Sequence, residues 1–275
     1  MNVPLPLTTV SSSQLDDTQS KADNRQIRID KVGVRGLRHP IEIMDLAHKR
    51  QDTIATLSLS VDLPQHFKGT HMSRFVEVLN AHGRLIHVEN IPDILHELQR
   101  RLEAETAHIE LVFPFFLEKK APVTGSVGLL DYVAKFSASV TGVTQDFILT
   151  VTVPVTTLCP CSKSISSRGA HNQRGYVELS VRFEQTVWIE EIIRIVEDSA
   201  SSELYSLLKR EDEKFVTERA FDNPVFVEDL VRNIALRCSQ HPHIRWFRVE
   251  AENVESIHNH SAFAVVESPA LELET

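Results

Sequence analysis

Apolar side chains recur along this chain at two spacings, and each switch between them marks an element. Lys31 to Arg38 alternates as a short strand, and Thr53 to Leu63 as a longer one through Ile54, Thr56, Leu57, Leu59 and Val61. The spacing then becomes helical. Met72 to Ala81 carries Phe75, Val76 and Leu79, and Ile91 to Ala104 carries Ile94, Leu95, Leu98 and Leu102. His108 to Leu117 and Ser126 to Thr141 return to strand character around a turn at Pro122 and Gly125. The second half repeats the order. Asp146 to Thr156 and Tyr176 to Phe183 read as strands, with Pro154 placing the first at a sheet edge or a strand end. Val187 to Leu208 and Glu211 to Cys238 read as helical, the latter broken near Asn223-Pro224. Ile244 to Val254 and His260 to Val266 close the chain as strands.

The pattern is ββααββ twice, an α+β arrangement of antiparallel strands and helices. The halves meet near Gly142 without a Gly/Ser linker, so they are expected to pack as one body: a first module over 27–143 and a second over 144–275. Residues 1–26 are polar and aperiodic, the pattern of a disordered arm without chemistry.

Apolar residues make up 42% of 275, enough for a real core. The longest apolar stretch, Ile109 to Leu117, is far too short to span a membrane. The amino terminus lacks the basic and apolar regions of a secretory signal, so the expected location is the cytoplasm. Three cysteines do not make a disulfide scaffold. A formal charge of −9 argues against nucleic acid as a partner. Two segments depart from this acidity. Phe147 to Val177 holds no carboxylate but contains Lys163, Arg168 and Arg174, and Leu63 to Val76 holds none but contains His66, Lys68, His71 and Arg74. Local positive fields of this kind suit a small anionic ligand.

The long loop Thr157 to Arg174 contains Cys159-Pro-Cys161 and His171, and Glu255, His258 and His260 lie close together near the carboxyl end. Thiolate, imidazole and carboxylate are the donors of a divalent metal that activates water. Were His258 and His260 in a strand, both would share a face. Cys-x-Cys and His-x-His are weak signals alone, and a thiol redox pair is a further reading of the cysteines. Cys238, in a helical apolar pattern, reads as core, and the cluster Phe113-Pro-Phe115-Phe116 as core or oligomer contact.

Three strings carry more. LPQHFKGTHMSRF (63–75), TTLCPCSKSISSRGAHNQRG (156–175) and VESIHNHSA (254–262) closely resemble the prokaryotic type IB GTP cyclohydrolase I family. The likeness covers nearly everything after the arm. It implies a bimodular tunnelling fold, two ββααββ units with antiparallel sheets and helices on one face. It also implies a homotetramer with active sites at subunit interfaces, and conversion of GTP and water into formate and 7,8-dihydroneopterin triphosphate. The resemblance carries a metal-ligand set over to Cys159, His171, Glu213 and His258, with REDEKF (210–215) offering three acidic candidates in a row. It carries a purine-anchoring carboxylate to Glu228, and roles in proton transfer or site arrangement to Cys161, Glu255 and His260.

The implied chemistry asks for these residue types. Guanine C8 is a poor electrophile that water must attack twice, so a divalent metal that acidifies water is needed, with Zn, Mn and Fe(II) all compatible with mixed S, N and O donors. A carboxylate such as Glu228 can accept hydrogen bonds from guanine N1 and its amino group together. The charge pattern nominates Lys68, His71, Arg74, Lys163 and Arg168 for the triphosphate. Two other functions compete: a nitrile reductase of queuosine biosynthesis on the same fold, whose signature is not evident, and a noncatalytic purine or pterin binder with a structural metal.

Overall fold

The alternating segments form strands that are mostly longer than the pattern predicts. A computed structural model describes residues 19, 21–83 and 86–269. The first half comprises β1 (Ile29–Asp45), β2 (Lys49–Leu63), α1 (Met72–Ala81), the two-residue β3 (Ile86–His87), α2 (Ile91–Leu102), β4 (Thr106–Lys120) and β5 (Val127–Thr141). The second comprises β6 (Thr144–Leu158), the short helix α3 (Pro160–Ile165), β7 (Asn172–Phe183), α4 (Ile189–Glu197), α5 (Arg210–Asp222), α6 (Val227–Gln240), β8 (Ile244–Glu255) and β9 (Ser261–Glu267). One sheet runs β3-β1-β2-β4-β5-β6-β7-β8-β9. Its eight long strands pair antiparallel, and only the short β3 runs parallel to β1. The halves share one order, β1-β2-β4-β5 and β6-β7-β8-β9, and are joined by the hairpin Gly142-Val143, whose glycine at φ +57° suits the first position of a two-residue turn.

Strand β1 outruns Arg38 because Gly36, at φ +77°, absorbs a register shift between Arg35 and Leu37 as a bulge, after which pairing with β2 continues to Asp45↔Lys49. The bulge breaks the alternation, so the sequence pattern stops early. Pro154 lies inside β6 rather than at its end. The ladder to β5 stops at Thr152, so Pro154 is flanked by a paired strand only on the β7 side, opposite Tyr176. The segment Val187 to Leu208 is not one helix. After Glu197 the chain leaves α4 so that Ser202 can exchange backbone hydrogen bonds with Thr156, and the Ser201 hydroxyl accepts from Leu158 N–H. Gln19, Lys21 and Asp23 of the expected arm are tied down: Lys68 N–H donates to Lys21 O, Gly69 N–H to Gln19 O, and Asp23 N–H to His66 O. Residues 1–18 and 20 of that arm lie outside the described residues.

Helices pack on one face of the sheet. Ile91, Ile94, Leu95, Leu98 and Leu102 of α2, Ile192, Ile193 and Val196 of α4, and Leu230 and Ile234 of α6 are buried in one core with Leu57, Leu59, Ile109, Phe113, Phe115, Val151 and Val249 of the strands. Each such side chain contributes roughly 1.5–3 kcal/mol. In α1 the third buried residue is Val78, whereas Val76 is 39% exposed. Cys238 is fully buried, and burial pushes its thiol up to about 12, which makes it unreactive. The other face of the sheet carries Val112, Val133, Tyr176, Val254 and Phe263, all exposed.

Two polar contacts fasten the later helices to the first half. Lys119 of β4 meets Glu197 of α4 at 2.7 Å, and the Tyr132 hydroxyl donates to the same carboxylate. Asp212, wholly buried in the first turn of α5, accepts from the backbone N–H groups of Val123 and Thr124, the Thr124 hydroxyl and Lys209 N–H.

Candidate active site

The long loop is shorter and more ordered than its polarity suggests. β6 runs to Leu158 and β7 begins at Asn172, leaving 159–171 between them. Cys159 caps α3, its Sγ accepting Ser162 N–H at 3.3 Å. Its own N–H donates to His171 O at 3.1 Å, and His171 N–H donates to the Ser162 hydroxyl. Cys159 and His171 therefore stand side by side where the two strands diverge. His171 Nδ1 lies 3.0 Å from Gln173 Oε1, while Gln173 Nε2 donates to Thr157 Oγ1 at 2.9 Å.

The sheet register brings the carboxyl-terminal residues to the same end. Gln173 pairs with Glu255 across the β7–β8 ladder, and His258 N–H donates to Glu255 O. Glu255 Oε2 is 3.4 Å from His258 Nε2, and the His258 and His260 rings stack with centroids 5.1 Å apart. These histidines are not in a strand. They occupy the exposed β8–β9 turn, and stacking in that turn, not strand alternation, brings them together.

Glu213 is exposed on the first turn of α5, and the far end of that helix reaches α3, where the Lys163 ammonium donates to Phe221 O and sits 4.3 Å from the Phe221 ring centre. Eight residues at ~1.5 Å each put Glu213 about 12 Å along the helix axis from Phe221. Asp212, between the other two acidic candidates, is consumed by its four hydrogen bonds. Among the described residues, no three His, Cys, Asp or Glu side chains form a group that could hold a metal ion. Cys159 and His171 nonetheless suit one: the thiolate position already accepts a backbone N–H, and Gln173 occupies Nδ1, leaving Nε2 for a ligand.

Glu228 lies exposed in the first turn of α6. Cys161 is exposed on α3. Of the cations nominated for phosphate, Lys68 and Arg168 are exposed, and His71 directly precedes α1 without capping it through its side chain. Arg74 and Lys163 already donate within the chain, to Arg101 O and Phe221 O. Sequence reasoning missed Thr157, Gln173 and Asn253. All three are buried on the helix-covered face, and Asn253 Oδ1 has no hydrogen-bond partner among the described residues. Their signal was polar residues at inward positions of otherwise apolar strands.

Two antiparallel four-stranded units in one sheet, with helices on one face, define a bimodular tunnelling fold. Solved structures agree at the level of fold: urate oxidase from Bacillus sp. TB-90 aligns with a TM-score of 0.54 at 8% identity over 87% of this chain and 99% of that one. Uricase from Arthrobacter globiformis aligns at 0.50 and 9%, over 87% and 92%. The chain belongs to the type I GTP cyclohydrolase folE2 family, whose model matches residues 15–264. It is 60% identical over 257 residues to GTP cyclohydrolase FolE2 of Akkermansia muciniphila, covering 92% of this chain and 97% of the relative. The corresponding protein of Magnetococcus marinus is 56% identical over 253 residues, covering 92% and 96%.

Proposed function

We propose that this protein is a GTP cyclohydrolase I, hydrolysing GTP at guanine C8 to formate and 7,8-dihydroneopterin triphosphate, the first step of folate and pterin biosynthesis. Family membership supports the activity. The observation that carries the site is the pairing of Cys159 with His171 beside the Glu255–His258 turn.

In this reading Cys159, His171, Glu213 and His258 hold one divalent ion, of Zn, Mn or Fe(II). The ion, when bound, supplies acidified water at neutral pH. Glu228 accepts hydrogen bonds from guanine N1 and the exocyclic amine and so orients the ring. Cys161, Glu255 and His260 hold and move protons at N7 and the departing nitrogen, general acid–base work worth typically ~10²- to 10⁴-fold. Lys68, His71, Arg74, Lys163 and Arg168 neutralise the triphosphate. Lys163 and Arg74 must exchange carbonyl partners for phosphate to do so.

The exposure of Glu228, His258 and His260 supports a site completed by a neighbouring copy. The apolar residues on the helix-free sheet face supply a contact surface for a homotetramer. Among the described residues no helix is long and apolar enough to cross a membrane, and we place the enzyme in the cytoplasm.

Incubation of the purified protein with GTP and one divalent ion at a time tests the proposal. Formate and, after oxidation, pterin fluorescence are expected with at least one ion. GTP binding without formate under every ion would leave only a purine binder.

A further inference from the structure

We infer that Gln173 is a positioning residue that fixes His171 with its hydrogen on Nδ1 and presents the bare Nε2 to a divalent cation. This rests on the reading of His171 as a metal ligand.

Gln173 is 8% exposed, and its backbone is paired on both sides, with Thr157 of β6 and Glu255 of β8. Its side chain therefore has little freedom. One end is anchored: Nε2 donates to the hydroxyl of Thr157, itself 0% exposed. That leaves Oε1, which can only accept, 3.0 Å from His171 Nδ1. A neutral imidazole facing a pure acceptor at Nδ1 carries its hydrogen there, and its other nitrogen has a free lone pair. His171 itself precedes the strand and is only half-buried, so nothing within the loop sets its ring as firmly as this amide. The relay Thr157–Gln173–His171 transmits the rigidity of the central sheet to a side chain at its end. Outer partners of this kind commonly change metal affinity by ~10- to 100-fold when removed.

The test uses the full-length protein and Zn²⁺ alone, titrated against a competing chelator, with ¹⁵N shifts of His171 recorded in the metal-free state. Gln173→Met, which removes the acceptor, is expected to weaken zinc binding ~10- to 100-fold and to move the His171 hydrogen partly to Nε2. Gln173→Glu keeps an acceptor and is expected to stay within about threefold of the wild type. Equal zinc affinity in Gln173→Met and wild type, both folded by circular dichroism, would overturn the inference. So would a wild-type spectrum with the hydrogen on Nε2. If Gln173→Met does not fold, Thr157→Val, which frees the anchored end of the amide, must show the same direction of nitrogen shift or the relay is wrong. If the wild type binds no zinc or other divalent ion, the ligand reading of His171 fails instead, while the metal-free shifts still decide whether Gln173 sets the ring.

Discussion

Cys159 and His171 are joined by a backbone hydrogen bond of 3.1 Å, from the cysteine N–H to the histidine carbonyl, which closes the loop between β6 and β7 at its base. Two donors twelve positions apart thereby become neighbours on a rigid sheet end. Cys159→Ala should lower bound metal per subunit and abolish formate release, and chelation should do the same to the wild type. The fold should persist in the variant, since only one cap hydrogen bond, about 1 kcal/mol, is lost. Elemental analysis beside a formate assay checks this. A metal-free preparation with full activity would exclude the metal role.

Glu228 sits at the start of α6 with its side chain in solvent, free to meet a ligand. Replacing it with alanine should weaken GTP binding ~10- to 100-fold, the loss of charge-assisted hydrogen bonds worth about 1.5–3 kcal/mol. Metal content and circular dichroism should not change. Calorimetric titration with GTP decides, and wild-type affinity in the variant would remove the purine-anchoring role.

Asp212 should shape the acid limb of stability. Burial disfavours its charge, but hydrogen bonds from Thr124, Lys209 and Val123 outweigh that cost and hold its carboxyl well below the usual carboxylate range. A depressed folded value means that the contribution is complete above the unfolded value near ~3.9 and disappears as pH falls through the folded one. Asp212→Asn should therefore be less stable at neutral pH and lose less on acidification. Urea unfolding at pH 7 and near pH 3 measures both, and an unchanged acid slope would refute the assignment.

Lys119 and Glu197 form a buried ion pair across the two halves, with side chains 10% and 8% exposed. Lys119→Met strands the carboxylate and should cost ~3–5 kcal/mol. Adding Glu197→Leu should recover most of that loss, because no charge is then left buried. Additive destabilisation in the double variant would mean that the pair is not coupled.

Segments with one uninterrupted period were legible to the residue or nearly so: α1 spans Met72–Ala81 as its spacing predicts, and α2 differs only at its end. β1 was legible only in part, because the Gly36 bulge interrupts a period that pairing with β2 then restores. The helical spacing of 187–208 was misleading, since three serines there bond to β6 and to α4 carbonyls instead of continuing a helix. The long loop and its Cys and His residues stood out by their types, but their assignment as ligands came from the family resemblance and not from composition. Gln173 did not stand out, because its one signal, a polar residue at an inward position, shows only once β7 is known to begin at Asn172 rather than at Tyr176.

By itself the chain determined its alternating and helical stretches, the twofold repetition of their order, and the donor types gathered in two short strings, since all of these follow from local spacing and side-chain chemistry. Tertiary structure decided which donors meet. Register between β6, β7 and β8 sets Cys159, His171, Gln173 and Glu255 at one sheet end, and the hydrogen bonds of Asp212 to the β4–β5 turn set the helix that carries Glu213. Such neighbours are fixed by hydrogen bonds between residues far apart along the chain, and no local period encodes them.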